Sequence, residues 1–183
     1  MSHERIVVVG TSGSGKTTFA RQLAAALDVP YTELDELYWG PEWTPVAPED
    51  FASRVASAVS ESHWVIDGNY AAVRELVWGR ATTLVWLDYP FWLVFWRAVT
   101  RTFRRICSKE PLFAGNTETL AVLERDWIPW WVLRTFWKRR REYPALLERP
   151  EYAHLQVSRM RRPADAERFL GACRAQASPG SSW

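Results

Sequence analysis

Short runs of consecutive apolar residues alternate along the chain with longer segments in which apolar residues recur every three or four positions. The first run, IVVV at residues 6–9, predicts a buried strand. The segment GKTTFARQLAAALD at residues 15–28 predicts a helix. Its apolar residues fall on one helical face: Phe19, Leu23, Ala26 and Leu27. The first predicted elements are therefore a strand, a glycine-containing loop and a helix.

The same alternation continues along most of the chain. Further strands are predicted for PYTEL (30–34), HWVIDG (63–68), TTLVWLD (82–88) and YAHLQV (152–157). Helices are predicted for residues 48–60, around 71–78, 91–106 and 163–176, and one or two helices bent near Pro129 for residues 120–143. Strands separated by helices predict an α/β fold of three layers, α/β/α, with a five-stranded parallel sheet between the helices.

Size and composition agree with one globular domain. The chain has 183 residues, of which 48% are hydrophobic. We predict a single domain over residues 1–177 and a disordered tail over residues 178–183. The N-terminal residues lack the pattern of a signal peptide. The longest apolar stretch, residues 82–96, is interrupted by Asp88 and Pro90 and is too short to cross a membrane.

The two cysteines, Cys107 and Cys173, lie far apart and have neither a CxxC pattern nor nearby histidines. This arrangement argues against a zinc site and against a disulfide framework. We therefore expect a cytoplasmic protein without a membrane partner, and both a monomer and a homodimer remain open.

Ionisable residues are unevenly distributed, although the formal net charge is only +2. Residues 1–88 carry 6 basic and 12 acidic side chains, whereas residues 89–141 carry 11 basic and 4 acidic ones. A basic middle section of this kind favours binding of phosphate groups, in a small ligand or in nucleic acid.

The glycine-containing loop reads GTSGSGKTT and matches the phosphate-binding pattern GxxxxGK[ST] at Gly10, Gly15, Lys16 and Thr17. Glycines let successive backbone N–H groups face an anion, and the following helix adds the positive end of its dipole. Lys16 is predicted to reach the terminal phosphates of ATP, and Thr17 to bind Mg²⁺. The other loop residues predicted to contact ATP are Ser12, Gly13, Ser14 and Thr18.

A phosphate-binding loop also needs an acidic residue at the end of a neighbouring strand, to hold hydrated Mg²⁺ or to orient an attacking group. Asp67 and Asp88 both end predicted strands. Asp88 is explained as a helix cap, so Asp67 is the preferred metal ligand and catalytic residue. Asp35 lies at the same edge and is either a catalytic base or a solvated turn residue.

Together these motifs resemble the P-loop nucleotide kinases. The residues that carry the resemblance are the phosphate-binding loop, IDGNY at 66–70, WLDYP at 86–90 and the arginine-bearing helix that follows. LDELYWGPEW at 34–43 and the DGNY turn resemble more closely the adenylate-kinase-related DNA topology modulation proteins. The resemblance covers about residues 5–170 and implies a P-loop kinase that uses ATP and Mg²⁺ and has a helical lid segment.

The resemblance also implies roles for single residues. Asp67 matches the aspartate of the adenylate kinase DGxPR turn, but Asn69 and Tyr70 replace the proline and the arginine, and the nearest arginine is Arg74. Ser158 and Arg159 are placed near the nucleotide base by the same resemblance.

Arg97 and Arg101 keep the RxxxR spacing of the helix that leads into the lid of adenylate kinases, which implies contacts to ATP phosphates. The spacing of Arg97, Arg101, Arg104 and Arg105 also predicts a cationic stripe on one helix. Guanidinium groups that close over the transferred phosphate stabilise its charge, so Arg101 is a candidate catalytic residue. The lid is expected at about residues 104–141, and KRRRE at 138–142 either belongs to the same lid or is a plain charge run, which is the preferred interpretation.

The acceptor of the phosphate is less well defined. Residues 31–63, the expected acceptor lobe, contain seven acidic residues and only Arg54 as a basic one. This composition suits a hydroxyl-bearing or cationic small molecule better than a nucleoside monophosphate, with Asp35 as general base and Trp39 or Trp43 as a cover. Nucleotides, nucleosides and other hydroxyl compounds all remain candidate acceptors.

Two other functions remain open at this point. The protein is alternatively a nucleotide-binding regulator that contacts DNA through its basic middle section, although no helix-turn-helix or other reading module is visible. It is alternatively a simple NTP hydrolase, whose turnover no acceptor changes.

Overall fold

The computed structural model describes residues 5–108, 112–116 and 128–177, with the backbone alone for residues 128–133 and 177. The predicted lid at about 104–141 falls partly outside these residues, and the predicted tail at 178–183 falls wholly outside them.

The centre of the molecule is a five-stranded sheet in which every neighbouring pair of strands is parallel. The strands are β1 (Arg5–Gly10), β2 (Tyr31–Glu33), β3 (Trp64–Asp67), β4 (Thr83–Leu87) and β5 (Gln156–Met160). Their order in the sheet is β2-β3-β1-β4-β5. The carboxyl ends of all five strands therefore meet at one edge, where open α/β sheets bind their ligands.

Seven α-helices are present among the described residues. They are α1 (Lys16–Leu27), α2 (Leu34–Tyr38), α3 (Pro48–Ser60), α4 (Arg74–Arg80), α5 (Phe91–Ser108), α6 (Ile128–Leu147) and α7 (Pro163–Ala177). Helices α1, α5 and α7 cover one face of the sheet, and α3, α4 and the C-terminal half of α6 cover the other. The predicted three-layer α/β fold is confirmed.

The central strands are buried on both faces. Residues 6–9 of β1 have no exposed surface, and their side chains alternate between the two cores. This burial explains why the run is uniformly apolar. Burying an aliphatic side chain of this size stabilises the fold by roughly 1.5–3 kcal/mol. No described helix has the length and apolar character needed to cross a bilayer.

One element differs from the sequence-based prediction. The last strand begins at Gln156, because Tyr152 instead belongs to a 3-10 turn, Pro150–Tyr152, where its ring packs 5.1 Å from that of Trp78. β5 is an edge strand with four of its five residues at least partly exposed, so it has no strong apolar pattern. Pro129 lies at the N-terminal limit of the described part of α6, next to residues outside the described part of the chain, so the bend predicted there stays a prediction.

Candidate active site

The phosphate-binding loop lies between β1 and α1, as predicted. Gly13 and Gly15 have φ of +85° and +87°, a region that favours glycine. A Cβ at Gly13 would lie 2.6 Å from the carbonyl oxygen of Val94 in α5, so this glycine also permits close contact between the loop and α5. α1 begins at Lys16, so its first backbone N–H groups are available to an anion.

Lys16 lies at the centre of the charged groups of the loop. Its Nζ donates a hydrogen bond to the carbonyl oxygen of Thr11 at 3.4 Å. Burial lowers the pKa of Lys16, and the carboxylates of Asp67 and Asp35 oppose this shift. The Ser14 hydroxyl is buried and has no hydrogen-bond partner within the described part of the chain. A buried donor without a partner beside a lysine fits a loop built to take up an anionic ligand.

Two carboxylates converge on the hydroxyl of Thr17. Thr17 Oγ1 lies 2.8 Å from Oδ2 of Asp67 and 3.2 Å from Oε1 of Glu33. The hydroxyl of Tyr31 lies 3.3 Å from an oxygen of each carboxylate, and Arg21 donates a hydrogen bond to Glu33 at 3.2 Å. The predicted partners Thr17 and Asp67 are therefore brought together, and Glu33 joins them.

Burial makes the ionised forms of Glu33 and Asp67 less stable. It raises the pKa of Glu33 to about 7, with the neighbouring charges of Asp67 and Asp35 as further causes. Burial also raises the pKa of Asp67, while Lys16 and the Thr17 hydroxyl oppose the shift. Carboxylates held at a cost in free energy are a suitable environment for a cation.

The donor set suits Mg²⁺. Thr17, Asp67 and Glu33 offer hard oxygen atoms, which Mg²⁺ prefers, and no described group of three or more His, Cys, Asp or Glu side chains forms a complete metal cage. Mg²⁺ usually binds through one or two carboxylates together with water and substrate phosphates. The residues present therefore fit a magnesium ion shared with a nucleotide.

Asp35 lies in the first turn of α2. It accepts a short hydrogen bond from the hydroxyl of Tyr70. Burial and the charge of Asp35 raise the pKa of Tyr70, so this hydroxyl stays protonated and acts as a donor. Asp35 is thus a partly buried group held by Tyr70 rather than a freely solvated turn residue.

The two arginines of the RxxxR spacing both face the phosphate-binding loop. Arg101 donates a hydrogen bond to the Ser12 hydroxyl at 3.1 Å. An Nη atom of Arg97 lies 3.8 Å from the position that a Cβ of Gly15 would take, and its guanidinium carbon lies 5.7 Å from the ring centroid of Tyr89. Arg104 is exposed and makes no described contact to this loop.

Other predicted residues have structural partners instead. Arg74 donates hydrogen bonds to Asn69 at 3.0 Å and to Glu142 at 3.2 Å, and so links α4 to α6. The interpretation of Asp88 as a helix cap is wrong. Its buried carboxylate instead faces two arginines, Arg159 at 2.6 Å and Arg140 at 3.3 Å. Arg159 therefore forms an ion pair with Asp88 and is not directed to a nucleotide base.

Trp39 and Trp43 lie close together after α2: Trp39 forms an isolated antiparallel bridge with Pro45, and Trp43 ends a 3-10 turn, Pro41–Trp43, rather than lying in an irregular loop. The rings of Trp39 and Trp43 meet edge to face at 5.7 Å. Asn116 Oδ1 accepts a hydrogen bond from the backbone of Trp43 at 3.1 Å, while its Nδ2 donates to Gly40 and Phe113. Thr18 lies on the exposed side of α1, and no contact to the other site residues is described for it.

Two residues near the site were not predicted. Glu33 ends β2 as Asp67 ends β3, which is a signal that the sequence does contain. Arg139 lowers the pKa of Lys16, and its Nη1 donates to the Tyr143 hydroxyl at 3.2 Å. Arg139 lies close enough to Lys16 to lower its pKa, and Arg140 pairs with Asp88, so these two residues are not part of a purely solvated charge run, whereas Lys138 and Arg141 are exposed.

Comparisons with known proteins give a likeness of fold. No protein-family model matches the chain, and no curated protein matches it. Among solved structures, the chain is similar to a shikimate kinase from Bacteroides thetaiotaomicron, with 18% identity over 94% of this chain and 97% of that chain and a TM-score of 0.53.

A shikimate kinase from Acinetobacter baumannii in complex with shikimate has 18% identity over 100% of this chain and 97% of that chain, with a TM-score of 0.54. A gluconokinase from Sinorhizobium meliloti has 18% identity over 95% of this chain and 93% of that chain, with a TM-score of 0.51. At this identity the likeness concerns the fold, and the chain has the fold of P-loop kinases.

Proposed function

We propose that the protein is a phosphotransferase that moves the terminal phosphate of ATP to a hydroxyl group of a small acceptor. The observation that carries the proposal is the contact of Thr17 with Asp67 at 2.8 Å, beside Lys16 and the phosphate-binding loop. As part of the same proposal, we infer from the resemblance of the DGNY turn that the protein is related to the DNA topology modulation proteins.

In this proposal the loop binds the ATP phosphates through its backbone N–H groups and Lys16. Thr17 and Asp67 hold Mg²⁺, which supplies positive charge to the phosphates when it is bound. Arg97 and Arg101, which lie against the loop, stabilise the charge of the transferred group and exclude water. Their orientation toward the loop favours a kinase over a protein that presents these arginines to DNA.

Asp35 is the proposed general base for the acceptor hydroxyl. It lies close enough to Lys16 and Asp67 to influence the pKa of both groups, and Tyr70 holds it in place. Arg139 lies close enough to Lys16 to lower its pKa and adds a positive charge that the acidic composition of the lobe does not suggest. A hydroxyl compound with a carboxylate therefore joins the candidate acceptors, and the names of the similar kinases, for shikimate and gluconate, agree with this choice.

An acceptor screen coupled to ADP release tests the proposal. Purified protein with Mg-ATP is offered hydroxy acids, sugars, nucleosides, nucleoside monophosphates and small alcohols. We expect one class to stimulate ADP release and to yield a phosphorylated product by mass spectrometry. Lys16→Ala should abolish the signal, and Asp35→Asn should lower kcat by about 100-fold or more, as removal of a general base does.

The screen also separates the other interpretations. ADP release that no acceptor changes would favour a simple NTP hydrolase. DNA binding at physiological salt that depends on Arg104 and Arg105, without phosphorylated product, would favour the nucleic-acid-binding regulator.

A further inference from the structure

A cavity of about 650 Å³ lies apart from the phosphate-binding loop, between the start of α5, the middle of α6 and the turn after β5. Its lining includes Phe91 and Trp92 from α5, Trp137 from α6 and two arginines, Arg161 and Arg162. None of its lining residues belongs to the loop or to the carboxylate group around Thr17. The volume falls in the range of small-molecule sites in proteins.

Aromatic surface dominates the cavity. The ring of Phe91 stacks on that of Trp137, with centroids 6.2 Å apart and planes inclined by 19°, and it meets the edge of Trp92 at 5.1 Å. Nevertheless, Trp92 is 76% exposed and Trp137 is 52% exposed. Two large indole groups beside a cavity thus remain in contact with water, and a flat ring placed against them would bury this surface.

The charge of the cavity is positive. Asp88, at its inner end, is already neutralised by Arg159 and Arg140. The side chains of Arg161 and Arg162 are exposed and take part in no ion pair within the described part of the chain. The nearby Asp165 accepts hydrogen bonds from their backbone N–H groups and directs its carboxylate to Arg168. Guanidinium groups at the rim of an apolar cavity favour a carboxylate, sulfonate or phosphate group.

We propose that this cavity binds a small anion that carries a flat aromatic ring. The ring packs against Trp92 and Trp137, and the anionic group contacts Arg161 and Arg162. The cavity is a second ligand site, distinct from the site of phosphate transfer, and its occupation does not depend on the activity proposed above.

Fluorine NMR tests this site directly. The full chain is labelled with 5-fluorotryptophan, which reports all 12 tryptophans, and Trp92→Phe and Trp137→Phe assign the two relevant resonances. The probe is naphthalene-2-sulfonate, compared with 2-naphthol, which lacks the anion, and methanesulfonate, which lacks the ring. We expect naphthalene-2-sulfonate to shift these two resonances saturably, and each control compound to bind at least about tenfold more weakly.

Matched variants and a competing ligand complete the test. The double variant Arg161→Gln/Arg162→Gln should raise the Kd of the probe by about tenfold or more, whereas Arg54→Gln/Arg80→Gln, which removes two exposed arginines elsewhere, should change it less than about twofold. Saturating Mg-ADP should leave the Kd unchanged.

Three results would overturn the proposal: no saturable shift at Trp92 and Trp137, affinity that is independent of both rim arginines, or displacement of the probe by Mg-ADP. The last result would make the cavity part of the nucleotide site. Shifts of the same resonances with protein concentration alone would assign this face to self-association and equally overturn the proposal.

Discussion

Thr17 Oγ1 lies 2.8 Å from Oδ2 of Asp67, although the two residues are 50 positions apart in the chain. The contact joins the first turn of α1 to the end of β3, across the edge where β1 and β3 run side by side. It brings a neutral oxygen ligand and a carboxylate to the place where a nucleotide-bound magnesium ion would lie.

Removing the hydroxyl of Thr17 should weaken the binding of Mg²⁺ together with nucleotide. We expect Thr17→Val to lower the affinity for Mg-ADP by about tenfold or more, since loss of a ligand or of its supporting contact costs this much in metal sites. Isothermal titration with ADP, in the presence and absence of Mg²⁺, measures the effect. Thr17→Ser keeps the hydroxyl and should keep the affinity. An equal loss in both variants would argue against a metal role for Thr17.

Arg101 should act on phosphate transfer rather than on folding. Its hydrogen bond to Ser12 at 3.1 Å places the guanidinium group over the phosphate-binding loop. We expect Arg101→Ala to lower kcat by about 100-fold, as removal of one donor to a developing charge does. The matched variant is Arg104→Ala, on the same helix but exposed, for which we expect little change. Steady-state kinetics with the best acceptor from the screen compares the two, and similar losses would contradict the assignment.

Glu33 should make the stability of the metal-free protein fall as the pH rises. Its pKa is raised from 4.5 to about 7, so the folded state holds a proton that the unfolded state has already lost in this interval. The stabilisation is fully present below pH 4.5 and disappears as the pH passes through 7. Glu33→Gln cannot lose a proton and should flatten this part of the curve.

Urea unfolding at several pH values between 5 and 8, with a chelator present, measures the effect of Glu33. We expect the free energy of unfolding of the unmodified protein to fall by on the order of 1–2 kcal/mol more than that of Glu33→Gln. Mg²⁺ should reduce the difference, because it favours the ionised carboxylate. Parallel curves for the two proteins would show that Glu33 is already ionised in the folded state at pH 5.

The sequence was sufficient to predict the parts of the site that are local. The apolar run of β1, the glycine pattern and the face of α1 are adjacent in the chain, so their spacing alone predicts the loop, Lys16 and Thr17. Asp67 could also be predicted from the sequence, because it ends a buried strand and precedes Gly68.

The parts that depend on strand order were not predicted. Glu33 meets Asp67 because β2 pairs with β3 in a register that sets these two residues side by side. Nothing local in PYTEL indicates that pairing, and the strand has only three residues. Arg139 comes close to Lys16, and Arg140 reaches Asp88 at the end of β4, because α6 crosses the carboxyl edge of the sheet, a tertiary arrangement that a run of basic residues cannot reveal.

The ion pairs of Asp88 should contribute to stability far more than an ordinary surface pair. The Asp88 side chain is 3% exposed and faces Arg159 and Arg140, whereas Glu151 and Arg149 form a pair at 3.4 Å with both side chains more than half exposed. Breaking a buried pair by removing one partner leaves the other charge uncompensated, although both arginines here are about one-third exposed and partly solvated.

We therefore expect Asp88→Asn to lower the free energy of unfolding by about 1–3 kcal/mol, and Glu151→Gln by less than about 0.5 kcal/mol. Urea unfolding at neutral pH measures both variants. Because Asp88 joins β4 to β5 through Arg159 and to α6 through Arg140, the loss should be accompanied by faster amide hydrogen exchange in β5 and α6. If the two substitutions cost the same, Asp88 acts as a solvated surface acid, and the link between the sheet and α6 lies in the apolar contacts of Phe136 and Tyr143 instead.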